Sequence, residues 1–141
     1  MAKPTIGRLA AALLISVNCL VACSRGSAID PNLQREAGAL LQGVDRLRQA
    51  ANADKPLQLA SLAALPCSHA STCGLKDRCV DAYQGFVKAL GDIARIEGAL
   101  VNSTTLSPAD LAGAQHALDT AREKTLACAS EQGELARRMT R

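Results

Sequence analysis

Apolar residues recur at steps of four and three through Leu33, Ala37, Leu40, Val44, Leu47 and Ala51, a spacing that lays one stripe along one face of an α-helix. Asp30-Pro31 stands ahead of it. An aspartate there accepts from the free N–H groups of a helix start, and proline fits the first turn because its missing N–H would have no partner. The pattern predicts a first helix that ends near Asn52 to Asp54, ahead of Lys55-Pro56. A shorter apolar stretch from Leu57 to Leu65 predicts a second helix stopping at Pro66, since proline removes a donor and crowds the preceding turn.

A third helix is expected to begin between Gly74 and Asp77 and to run to about Val101. Cys79, Phe86, Ile93 and Leu100 fall every seven residues along it, with Tyr83 and Leu90 on the adjacent edge. Asn102 to Leu106 reads as a turn, and Ser107-Pro108-Ala109-Asp110 as the start of a fourth helix, with Ser107 as N-cap and a carboxylate in the first turn. The stripe of that helix is Leu111, Ala114, Leu118, Ala121, Thr125, Cys128 and Leu135, interrupted by Gln132. A short connection forces the last two helices into an antiparallel hairpin. The runs of β-branched and aromatic residues that mark strands are absent. The expected fold is therefore all-α, a small helical bundle built on a long antiparallel helical hairpin.

The first 22 residues follow a different rule. Lys3 and Arg8 precede a stretch from Leu9 to Val21 that is apolar except for Ser16 and Asn18 and carries no charge. This is the layout of an export signal, and at about a dozen residues the stretch is too short for a lasting transmembrane helix, which needs ~20. It closes on Leu20-Val21-Ala22-Cys23, which resembles the lipobox of bacterial lipoproteins. The resemblance covers the targeting segment alone. It implies that Cys23 receives a diacylglycerol, that the chain is cut before it, and that the new amine is acylated. Two or three acyl chains, at ~0.8 kcal/mol per buried methylene, hold a protein stably on a membrane where one chain is marginal. Cys19 is the other conceivable acceptor, but Ser16-Val17-Asn18 before it lacks the small residue next to the cysteine. Ser24 resembles the residue that directs Gram-negative lipoproteins to the outer membrane rather than the aspartate that retains them at the inner one. The chain thus divides into a signal at 1–22, a small, polar tether at 23–29 and a helical domain at 30–141.

Processing at Cys23 changes the charge. Of sixteen Lys and Arg residues, two leave with the signal, so fourteen cations face thirteen carboxylates and the formal charge falls from +3 to +1. With one Tyr, one Phe and no Trp, the domain offers neither the basic surface nor the stacking platforms of a nucleic-acid binder. Arg137, Arg138 and Arg141 suit the negative end of a last helix.

Four cysteines remain in the domain, Cys67, Cys73, Cys79 and Cys128. In an oxidising compartment an even number favours disulfides, with three possible connectivities. Cys79 lies 23 residues before Asn102 and Cys128 lies 21 after Ser107, so at ~1.5 Å per residue both stand ~32 to 35 Å from the turn. The same register sets Phe86 opposite Ala121 and Ile93 opposite Ala114, large against small, which permits the close backbone approach a disulfide needs. It favours Cys79 with Cys128 and leaves Cys67 with Cys73 to close a small loop over residues 68–72.

Other chemistry is thinly supplied. Cys67, His69, Cys73 and Cys79 place three sulfurs and an imidazole within thirteen residues, a set that would suit zinc or copper if the thiols were free, although the spacing is not that of common structural zinc sites. No Cys-x-x-Cys-His occurs, and a non-covalent haem would want axial ligands such as His116 or His69, paired with Met139. Serine-hydrolase, zinc-protease and phosphate-loop motifs are absent. Asp77 and Asp81 share a helix face, but with Lys76 and Arg78 beside them they read as a solvated charged surface rather than an acid–base pair. Asn102-Ser103-Thr104 has the form of a glycosylation sequon and in a bacterium reads as an exposed turn. The expectation is a non-enzymatic lipoprotein of the envelope, without cofactor, whose helical domain binds another protein. The competing expectation is a small-ligand or metal carrier using the Cys67–Cys79 cluster.

Overall fold

The computed structural model describes residues 29–102 and 105–141. The signal, Cys23 and the tether as far as Ala28 lie outside them, as do Ser103 and Thr104 of the sequon. Four helices account for nearly all the rest: α1 (Pro31–Gln49), α2 (Lys55–Ala63), α3 (Ala70–Val101) and α4 (Pro108–Met139). The described residues contain no strand. α3 and α4, each of 32 residues, form the antiparallel hairpin, and α1 and α2 pack on its open end.

Local signals start two of these helices. Asp30 accepts from the Asn32 N–H at 2.8 Å with Pro31 in the first turn of α1. At α4 the Ser107 hydroxyl accepts from the Asp110 N–H at 3.1 Å, and the Asp110 carboxylate accepts back from the Ser107 N–H at 3.2 Å. This reciprocal pair satisfies two donors that a bare helix start leaves open, and it holds the Asp110 carboxyl below its ordinary range, chiefly through the Ser107 hydroxyl.

The hairpin register is fixed by rungs between α3 and α4. Cys79 is bonded to Cys128 with Cα atoms 5.1 Å apart. Arg78 pairs with Glu131 at 2.6 Å and Lys124 with Asp81 at 2.8 Å. Beyond them, Ala121 lies 4.0 Å from where a Cβ on Gly85 would stand, so small residues meet and the helices run close. The second disulfide joins Cys67 to Cys73, Cα atoms 5.3 Å apart, across the connection from α2 into α3. These are the pairs that the helix register favours.

The core is at the open end, in one cluster of Ala37, Leu40, Val44 and Leu47 from α1, Leu62 from α2, Leu75, Cys79, Ala82 and Tyr83 from α3, and Cys128 and Leu135 from α4. Leu59, Leu65 and Met139 pack against its edge. Fully burying a leucine is worth about 1.5–3 kcal/mol, so aliphatic side chains carry most of this cluster. Tyr83 is its one aromatic member, and burial raises its phenol pKa above the ordinary value. Gly43 lies where an added Cβ would come within 3.0 Å of a Leu65 methyl and 3.1 Å of a Leu62 methyl, which is how α2 seats closely on α1.

Several expectations are corrected. α1 stops at Gln49 rather than near Asn52 to Asp54, and Ala51 is exposed. The reason is Lys55. Its buried ammonium donates to the carbonyls of Leu47, Arg48 and Ala50 at 3.1, 3.2 and 2.9 Å, closing the C-terminus of α1, where free carbonyls and the helix dipole favour a cation. Lys55 also begins α2, two residues ahead of the expected Leu57. α3 starts at Ala70, before the expected window of Gly74 to Asp77. Gln132, expected to interrupt the stripe of α4, is buried and donates to Asp45 Oδ1 at 2.9 Å and to the Leu41 carbonyl at 3.4 Å. It ties α4 to α1.

On α3 the fully buried seven-residue row is Leu75, Ala82, Ala89 and Ile96. Of the row read from the sequence, Cys79 is buried, Phe86 and Ile93 are half-buried, and Leu100 is 63% exposed. Leu111, first in the expected stripe of α4, is 48% exposed.

Candidate functional site

Two places outside the core concentrate unusual side chains. The first lies at the open end, where α3 begins. His69 precedes the helix and makes no side-chain cap, while its carbonyl accepts from the Thr72 and Cys73 N–H groups at 3.1 and 2.9 Å. The turn that leads into α3 is held by Glu36 of α1. Its carboxylate accepts from the Ser68 N–H at 2.9 Å, the His69 N–H at 3.2 Å, the Ser68 hydroxyl at 2.7 Å and the Thr72 hydroxyl. These donors, the Thr72 hydroxyl foremost, drive the Glu36 carboxyl far below its ordinary pKa against the opposing effect of burial.

The His69 ring stands between two carboxylates. Nδ1 is 3.4 Å from Glu36 Oε2, and Nε2 is 3.3 Å from Asp30 Oδ2. A neutral imidazole has one N–H and can donate to only one of them; the imidazolium donates to both. The His69 pKa is accordingly raised, first by Glu36 and then by Asp30. The Asp30 carboxyl is lowered, chiefly by the Asn32 N–H and next by His69. The arrangement binds three parts of the chain, the residue that opens α1, the middle of α1 and the start of α3.

The same geometry limits what the cluster can hold. The two carboxylates face opposite ring nitrogens, so they do not converge with the ring on one ion. No group of three or more metal-ligating side chains occurs among the described residues. The thiolate set considered from the sequence is dispersed, because Cys67 and Cys73 are bonded to each other and Cys79 is bonded to Cys128 in the core. His116 is exposed on α4 and stands 23 residues from Met139 on one helix, ~35 Å along its axis, too far to share a haem. Asp77 and Asp81 lie on an exposed face, with Asp81 paired to Lys124.

Beside the cluster is a groove of about 470 Å³ lined by Asn32, Arg35, Glu36, Ala39, Pro66, Cys67, Ser68 and His69. A smaller cleft of about 240 Å³ between α3 and α4 has Arg78, Arg138, Glu131 and Glu134 around Leu75 and Leu135. Glu134 is engaged by Arg137 at 2.6 Å, which holds its carboxyl below the ordinary range. Both carboxylates of the cleft are thus paired on the helix surface, Glu131 with Arg78 and Glu134 with Arg137.

The second place is the closed end of the hairpin, where large apolar side chains face water. Leu100 is 63% exposed and Val101 84%, near the turn, with Leu111 on the opposite helix. Among the described residues no hydrogen bond joins α1 or α2 to the residues near this turn, and the core cluster they share with α3 and α4 stops at Tyr83; Phe86 lies just beyond it, its ring centre 5.8 Å from the Lys55 ammonium.

The Glu36 cluster was not legible as a site in the sequence. Glu36 lies 32 residues before Ser68, and nothing in either local pattern links them. The exposed tip is partly legible, since Leu100 and Leu111 stand out in the apolar stripes but face water rather than the opposite helix.

No described helix is long and apolar enough to cross a membrane. Compared with models of protein families, with curated proteins and with solved structures, the chain matches none.

Proposed function

We propose that the chain is the precursor of a bacterial lipoprotein, cut before Cys23 and held by lipid on that cysteine at the periplasmic face of a membrane, the outer rather than the inner one. The observation that carries this is the order Lys3 and Arg8, an uncharged apolar run, and Leu20-Val21-Ala22-Cys23. The helical domain then serves as a protein-interaction or accessory module of the envelope. Supporting that role, the chain enters the bundle at Asp30, beside the start of α3, while the exposed Leu100 and Val101 stand at the other end of a 32-residue helix, about 45 Å away. An anchor near one end leaves the apolar end free to meet a partner. No catalytic motif accompanies these features, and the domain is read as non-enzymatic.

The anchor is tested by fractionating cells that express the chain or its Cys23→Ser variant. The parent should sediment with membranes and yield an N-terminal peptide bearing lipid on Cys23, and the variant should leave the membrane fraction with its helical circular dichroism intact. Unchanged membrane association of the variant would overturn the anchor. For the interaction role, a photo-crosslinker at Leu100 or Val101 in intact cells should give a discrete adduct that the same probe at exposed Leu57 of α2 does not; equal adducts at both, or none from a correctly localised protein, would count against it.

A further inference from the structure

The two disulfides sit in different surroundings. Cys79 and Cys128 are 0% and 2% exposed and belong to the core cluster. A thiol reaches them only if α3 and α4 separate. Cys67 and Cys73 are both partly exposed, and Cys67 also forms part of the wall of the 470 Å³ groove, together with Pro66 and with Ala39 of α1. Thiol–disulfide exchange requires a thiolate to reach one sulfur of the bond, so its rate follows access to that sulfur.

The segment around Cys67 is also held without the disulfide. Ser68 and His69 are fixed by the Glu36 carboxylate, and the carbonyl of Leu65 accepts from Lys76 at 2.9 Å. Opening the bond therefore leaves both flanks of the loop in place, and the two thiols stay close enough to close again.

We propose that Cys67–Cys73 is a thiol-exchange site whose substrate is an external dithiol admitted through the groove, whereas Cys79–Cys128 is a permanent staple. A thiolate of the dithiol attacks Cys67 Sγ, the Cys67–Cys73 bond breaks, and Cys73 leaves as a thiolate. The second thiol of the dithiol, once deprotonated, attacks its own sulfur in the mixed disulfide and releases Cys67. Two electrons pass to the protein, the dithiol becomes a disulfide, and its two protons end on Cys67 and Cys73. This assignment is independent of the lipid anchor.

The experiment titrates the folded, oxidised protein with dithiothreitol, quenches by alkylation and maps the modified cysteines by mass spectrometry. Cys67 and Cys73 should be alkylated at reductant concentrations at least about tenfold below those that label Cys79 and Cys128, with the helical circular dichroism signal retained. Labelling of all four cysteines together, earlier labelling of Cys79 and Cys128, or no labelling before the helices melt would overturn the proposal. Ala39→Trp separates the groove from general exposure. It fills the groove from an exposed helix position, so it should slow reduction of Cys67–Cys73 without lowering the melting temperature. An unchanged reduction rate in that variant would refute entry through the groove.

Discussion

Between Thr72 and Tyr83, α3 has α1, α2 and α4 around it and gives Leu75, Cys79, Ala82 and Tyr83 to the core. Between Leu90 and Val101 the same helix buries one large side chain, Ile96, and ends with Leu100 and Val101 in water. The two stretches are one continuous helix with the same kind of apolar repeat, so helix propensity does not separate them. What separates them is covering. The open end has two extra helices, two disulfides, the Glu36 carboxylate holding the turn into α3, and Lys55 closing the end of α1. The closed end has α4 and the capping box at Ser107. An amphipathic face holds a protein together only where another face meets it; elsewhere the same residues form a contact surface.

The largest effect should come from the staple. Cys128→Ser opens a loop that spans 49 residues, which the chain-entropy relation values at about 4 kcal/mol; denaturant unfolding should show a loss of that order. Leu135→Ala, in the core beside it, should cost about 3 kcal/mol. Cys67→Ser opens a six-residue separation and should cost about 2 kcal/mol. If Leu135→Ala proved neutral, the open end would not be the core.

The Glu36–His69 cluster gives the open end a pH dependence on both sides, whereas the lowered Asp110 carboxyl at the closed end acts on the acid side alone. The Glu36 carboxyl is lowered from its ordinary 4.5, so its contribution is present above 4.5 and is lost as pH falls towards the folded value. The His69 pKa is raised from 6.5, so its contribution is full below 6.5 and is lost as pH rises through the folded value. Both are present between those limits. The melting temperature should therefore decline on both sides of that window; His69→Gln should remove the part of the decline at high pH, and Glu36→Gln should flatten the part at low pH. A parent profile that rises from pH 6 to 8 would sink the assignment. The smallest effect belongs to the tip, where Leu100→Ser should change stability by less than about 0.5 kcal/mol while reducing any cross-link formed there.

The legible parts of this fold were those whose partners lie close in sequence or at a fixed register. Asp30-Pro31 and Ser107-Pro108-Ala109-Asp110 announce their helices because a cap acts within three residues. Cys79 and Cys128 are equally far from one turn, and counting residues along two straight helices is enough to bring them together. The early start of α3 follows a turn held by a carboxylate on another helix, and the early end of α1 has its last carbonyls taken by Lys55; neither shows in the local pattern. Gln132 looked like a break since nothing local shows that Asp45 and the Leu41 carbonyl await it. The seven-residue row through Leu100 misled for a related reason. On a helix with two apolar rows, sequence periodicity does not say which row turns inward.

Hydrogen–deuterium exchange on the intact, oxidised protein tests the contrast between the two ends most directly, since amides exchange through local opening wherever covering is thin. Amides of α1, of α3 from Thr72 to Tyr83 and of α4 from Cys128 to Leu135 should be the slowest to exchange, and those from Leu90 to Val101 and from Leu111 to Leu118 should exchange clearly faster. Equal protection along the whole length of α3 and α4, or slower exchange near the turn, would contradict the account.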